Sequence, residues 1–158
     1  MTNNDILRRV RYIFNFSDAK MIEIFRLGGE ELTRAQVSNW LKKDEDPEYV
    51  AIYDKMLACF LNGLIVHNRG KKDGEQPVAE KKLDNNAVFR KLKIALNFKD
   101  DDIMDVLRLA DLRMSKHELS AFFRSRTHTH YRPCKDQVLR NFLHGLSLKY
   151  VQDRPEES

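Results

Sequence analysis

The chain has 158 residues, 42% hydrophobic and 33% charged, with a formal net charge of +4, an ordinary globular balance that excludes a disordered or fibrous chain. No apolar run approaches the ~20 residues that cross a bilayer, and the charged segment 1–9 is followed by no apolar signal sequence. Two cysteines at unrelated positions, Cys59 and Cys134, make no disulfide framework, so a cytoplasmic protein without a membrane segment is expected.

The chain carries one stretch twice. An offset of 82 residues aligns 3–64 with 85–146 without a gap, and 16 of the 62 positions are identical. This predicts an all-α protein built from two tandem four-helix units at 1–66 and 85–150, joined by a linker at 67–84 and followed by a disordered tail at 151–158. Units of this size are marginal alone, which favours packing of one on the other.

In chain order, the first helix buries Ile6, Leu7, Val10, Ile13 and Phe14 on one face, with Asn3 or Asn4 at its cap; Val88, Phe89, Leu92, Ala95 and Leu96 repeat the pattern. Asn15 and Asn97 end these helices in a left-handed turn. The second helix starts at Ser17-Asp18, buries Met21, Ile22, Ile24 and Phe25, and stops near Gly28-Gly29; its copy has Ala110-Asp111 there, so two different turns are expected. Thr33 with Gln36, and Ser115 with Glu118, are capping boxes that open the third helices. Behind them Val37, Trp40 and Leu41 match Leu119, Phe122 and Phe123 as the buried face. The fourth helix carries Ile52, Met56, Leu57, Phe60, Leu61 and Leu64 at helical spacing, with Phe60 and Phe142 expected against the first helix of their own units. Pro133 suits a first turn, and Asp54 and Asp136 suit the positive end of the helix dipole. Gly63 and Gly145 read as the residues that follow the helix end. The linker offers little to bury and, as a flexible chain, spans on the order of 25 Å, which leaves the placement of the two units open.

The motifs Asn15-Phe16-x-Asp18, Ile24-Phe25-x-Leu27 and Asp54-x-x-Leu57-x-x-Phe60-Leu61-x-Gly63-Leu64, each with its counterpart 82 residues on, resemble the YehS-like family of small bacterial proteins. The resemblance covers nearly the whole chain. It implies an all-helical tandem domain in a bacterial cytoplasmic protein and brings no catalytic residues with it.

Function must then be read from the residues themselves. The duplicated polar pairs Asp54/Asp136 and Asn15/Asn97 stand where helix ends demand them, and no phosphate-binding glycine loop, zinc-protease helix or nucleophile elbow occurs. No catalytic group is assigned. His128, His130 and Cys134 have metal-binding side chains, but the first copy has Asp46, Glu48 and Ile52 there, so neither metal nor cofactor is expected. Charge separates the copies. Residues 1–66 hold 9 Lys/Arg against 10 Asp/Glu, whereas residues 85–150 hold 13 against 7. The loop after the third helix is acidic in the first copy and free of acids in the second. With a partial helix-turn-helix likeness in the second and third helices, this points to a non-enzymatic protein that binds nucleic acid. The expected contacts are Lys116, Arg124, Arg126, His128, His130, Arg132 and Lys135 of the second copy, with Arg34, Asn39 and Lys42 on or beside the third helix of the first. The alternative is a protein-interaction or self-association module in which the acidic loop meets the basic one.

Overall fold

The computed structural model describes residues 1–71, 74 and 76–151. Its elements are α1 (Asn3–Phe14), α2 (Asp18–Leu27), α3 (Arg34–Leu41), α4 (Asp54–Arg69), α5 (Asn85–Leu96), α6 (Asp100–Leu109), α7 (Lys116–Ala121) and α8 (Asp136–Val151). The protein is all-α, a tandem duplication, with no strand among the described residues. None of these helices is long and apolar enough to cross a membrane. The tail expected to be disordered falls outside the described residues, apart from Val151, which closes α8.

Local chemistry accounts for most helix ends. Thr2 caps α1 through the Asp5 N–H, and the Asp5 carboxylate returns to the Thr2 N–H; Asp84 caps α5 through the Ala87 N–H at 2.8 Å. The cap therefore lies before Asn3 and Asn4, which are released for another task. The capping boxes Thr33/Gln36 and Ser115/Glu118 are both formed, and Asn15 and Asn97 are left-handed, with φ of 54° and 55°. The turns after α2 and α6 were expected to differ. They share a plan: Gly29 and Asp111 both take positive φ, 106° and 59°, and the same two backbone hydrogen bonds follow in each. A short acidic side chain tolerates the left-handed region well enough to replace glycine there. Asp54 and Asp136 are the first helical residues of α4 and α8, so Ile52 and Pro133 belong to the extended loops ahead of them.

Each fourth helix is the spine of its unit. Leu57, Phe60, Leu61 and Leu64 are fully buried on α4, as are Leu139, Phe142 and Leu146 on α8. The Phe142 ring lies 4.7 Å from that of Phe89 on α5, as expected, but the Phe60 ring meets Phe25 of α2, at 5.0 Å. The first copy has Leu7 where the second has Phe89, so its aromatic partner comes from a different helix. Gly63 and Gly145 are not helix-end residues. A Cβ on Gly63 would lie 1.8 Å from the Ile24 carbonyl oxygen, and one on Gly145 would lie 2.1 Å from that of Val106. Both glycines let α2 and α4, or α6 and α8, cross in backbone contact.

The two units are joined by parallel pairing of the first helix of one with the fourth of the other. On one side the Leu83 N–H donates to Asp54 Oδ2 at 2.9 Å, Lys91 Nζ to Asn62 Oδ1 at 2.6 Å and Asn68 Nδ2 to the Ala95 carbonyl at 2.9 Å. These pin α4 beside α5 from start to end. On the other, the Met1 ammonium meets Asp136 Oδ2 at 2.9 Å and the Phe14 ring meets Tyr150 at 5.4 Å, which sets α8 beside α1 in the same way. The linker thus does not leave the units free: α4 runs on to Arg69, past the boundary expected at 66, and Glu80 pairs with Lys91 at 3.0 Å.

Gly63→Ala is expected to lower stability by about 1–3 kcal/mol, the usual cost of overpacking, measured as a shifted urea midpoint. An unshifted midpoint would mean that α2 and α4 stand farther apart.

Candidate nucleic-acid interface

The loop between the third and fourth helices is held open by one buried asparagine in each unit. Asn4 Nδ2 donates to the carbonyls of Trp40 and Val50, each at 2.9 Å, while its Oδ1 accepts from the Ile52 N–H at 3.1 Å and the Tyr49 hydroxyl at 3.0 Å. Asn86 repeats this with the carbonyls of Phe122 and Arg132, at 3.0 and 2.8 Å, and the Cys134 N–H at 2.8 Å. Beside them, Asn3 binds the Ile52 carbonyl and Asp54, and Asn85 binds the Cys134 carbonyl and Asp136. These side chains take up backbone groups that the irregular loop leaves unpaired.

In the second unit the loop so fixed brings cations to one place. His117 and Glu118 on α7 face His130, Arg132 and Lys135 across an open cleft of about 590 Å³, with Met114, Phe122 and Val138 as its apolar floor. The rings of His117 and His130 are 6.3 Å apart, and those of His128 and His130 are 5.6 Å apart. Lys116 is exposed at the start of α7. Arg124, half-buried, reaches His128 Nε2 at 3.5 Å. Arg126 is spent on an ion pair with Asp84 at the cap of α5, which raises the pKa of its guanidinium. Burial pushes the Asp84 carboxyl up, but hydrogen bonds from the Ala87 N–H and Arg126 outweigh it and hold the carboxyl below its ordinary range. Glu118 is the cleft's single acid, and the Ser115 hydroxyl and N–H that it caps hold it low. Cys134 is buried, and burial pushes its thiol up to about 12, so at neutral pH it offers no thiolate. Among the described residues no group of three or more His, Cys, Asp or Glu could hold a metal.

The first unit builds the same loop with other side chains. Where the cleft has His117, His130, Arg132 and Lys135, this unit has Ala35, Glu48, Val50 and Tyr53, and Val50 and Tyr53 are 47% and 78% exposed. Lys42 is drawn onto Glu48 at 2.5 Å and Asn39 at 3.1 Å, and Arg34 stands 3.8 Å from Asp18. No hydrogen bond or ion pair among the described residues links Arg34, Asn39 or Lys42 to the basic loop of the second unit. His117 lies between Ser115 and Glu118 of the capping box, so the sequence marks it only as a residue of the first turn. Its position one turn from Ala121, whose carbonyl receives the Arg132 N–H, is what turns it into the cleft.

Removing the clasp is expected to free the loop: Asn86→Ala takes a partner from the buried Phe122 carbonyl and Cys134 N–H and from the part-buried Arg132 carbonyl, costs about 1–3 kcal/mol, and speeds amide exchange at Cys134 before the helices open. Acid should also loosen the caps. Asp5, Asp84, Glu118 and Asp136 all have lowered pKa values in the folded chain. The stability they add is present above the unfolded carboxylate range of about 4 and is lost as pH falls through their folded values. Melting temperatures recorded from pH 7 to 3 should hold level to about pH 5 and then fall; a midpoint that rises on acidification would contradict this sign.

A family model described as "Protein of unknown function (DUF1456)" matches the chain twice, at residues 3–70 and 85–150. The chain is also 39% identical over 150 residues to "Uncharacterized protein YehS" of Escherichia coli (strain K12), which covers 94% of this chain and 96% of the relative. No solved structure matches. Since the family model falls on both helical units and the relative extends over nearly the whole duplication, the chain belongs to the DUF1456 family and carries its domain in tandem.

Proposed function

We propose that the protein is cytoplasmic and that it is a non-enzymatic nucleic-acid binder that uses the loop and third helix of its second unit. The observation that carries this reading is the convergence of His117, His130, Arg132 and Lys135 on one open cleft whose sole acid is held in a helix cap. Lys116 and Arg124 extend the positive surface, and the unit as a whole has six more cations than acids over 85–150. Such a surface gathers phosphates at low cost and speeds their approach. With six residues, α7 is short for a helix that reads bases from the major groove, so the contacts expected are to the backbone and carry little sequence preference. Arg126 contributes least, because Asp84 already neutralises it.

A second reading rests on the first unit. Exposed Val50 and Tyr53 sit beside Asp44, Glu45, Asp46 and Glu48, an apolar and acidic surface complementary to the basic cleft. Association through these two faces either pairs two copies reciprocally about a twofold axis or runs head to tail, one copy's first unit meeting the next copy's second, into rings or chains.

Arg132→Glu with Lys135→Glu should weaken binding of mixed-sequence oligonucleotides at least tenfold in fluorescence anisotropy. For every phosphate that the variant no longer neutralises, the log-log salt dependence should flatten by about 0.7–0.9. Lys42→Glu should change little, its ammonium being occupied by Glu48. If the parent bound no oligonucleotide at low salt while Tyr53→Lys lowered its mass in sedimentation, the association reading would replace this one.

A further inference from the structure

A groove elsewhere carries an independent inference. It runs between the end of α2, the joined helices α4 and α5, and residues 70, 71, 76, 77 and 80, with a volume of about 470 Å³. This volume is within the range of small-molecule sites. Leu27, Ile65, Val66, Ala87 and Ile94 give it an apolar wall, and among the described residues Arg26, Lys71, Arg90 and Lys91 stand against a single acid, Glu80.

The polar end has an unmet demand. Asn62 is 6% exposed, and its Nδ2 is buried with no hydrogen-bond partner, the one such side-chain atom among the described residues. The amide cannot turn round to solve this, because an ammonium only donates and Lys91 Nζ must face Oδ1, at 2.6 Å. Lys91 Nζ is held by Asn62 and by the Glu80 carboxylate, whose two oxygens lie 3.1 and 3.0 Å from it, and Glu80 is itself partly exposed. An unpaired amide donor thus lies beside an ammonium, where an acceptor with two oxygens would pair the amide and share the ammonium with Glu80.

The duplication does not require such a groove. Its counterpart in the other pairing, between α1 and α8, has Arg9, Tyr12 and His144 in place of Lys91, Ile94 and Asn62. That hollow is about 250 Å³, and no segment like 76–80 covers it among the described residues.

We infer that the groove between α4 and α5 is a binding site for a small amphipathic carboxylate, its oxygens on Lys91 Nζ and Asn62 Nδ2 and its apolar body against Val66 and Ile94. The full chain should be titrated with decanoate below its micelle concentration by calorimetry, with decylammonium as the charge control. Decanoate should bind at one saturable site, and Lys91→Met and Asn62→Leu should each weaken it at least tenfold. Ile94→Trp, which fills the groove from its rim, should abolish binding even if either polar variant folds poorly by circular dichroism. Arg9→Met in the other pairing should bind as the parent does. The inference is overturned by an absence of saturable heat, by equal binding of decylammonium, or by a folded Lys91→Met variant that binds unchanged.

Discussion

The buried amide of Asn4, with its twin Asn86, is the constraint on which each unit depends. The third helix ends, the chain crosses a dozen residues without regular structure, and the fourth helix begins. In that crossing the carbonyls of Trp40 and Val50 and the N–H of Ile52 face the protein interior, and without partners each would cost about as much as a broken hydrogen bond. One amide supplies two donors and an acceptor at the right separation, so a single side chain on α1 ties the end of α3 to the start of α4. A shorter side chain does not reach, and a carboxylate has no donors for the two carbonyls.

Joining the units follows the same economy. Asp54 gives one oxygen to Asn3 of its own unit and the other to the Leu83 N–H at the entry to the next; Asp136 divides its oxygens between Asn85 and the Met1 ammonium. Each aspartate therefore couples the loop geometry inside a unit to the pairing between units. The helix dipole explains why an acid is tolerated at this place, but the two-sided bonding explains why it occurs twice. The result is one continuous core in which neither unit keeps its apolar face to itself.

On this shared frame the surfaces have moved apart. The same open loop presents Val50, Tyr53 and four acids in one unit and Arg132, Lys135 and two histidines in the other, with the backbone held alike by the same clasp. The inter-unit grooves diverge too, since residues 76–80 border one and, among the described residues, no such segment borders the other. A duplicated fold thus offers two different faces on one frame.

The helices of the described residues, the capping boxes of α3 and α7, the left-handed asparagines and the apolar faces were determined by local sequence, because periodicity and capping chemistry act within one or two turns. The basic character of the second loop was equally legible as a run without acids. Tertiary structure alone decided the rest. Asn4 read only as one of two candidates for the cap of α1 because its true partners lie 36 to 48 residues away, and Gly63 and Gly145 read as helix ends because only a second helix in backbone contact reveals why a side chain is forbidden there. Arg126 looked like the equal of Arg132 until Asp84, 42 residues earlier, was brought beside it. The parallel pairing of α4 with α5 was likewise beyond a sequence reading, since the linker's length permits many arrangements and only the contacts at Asp54, Asn62 and Asn68 select one.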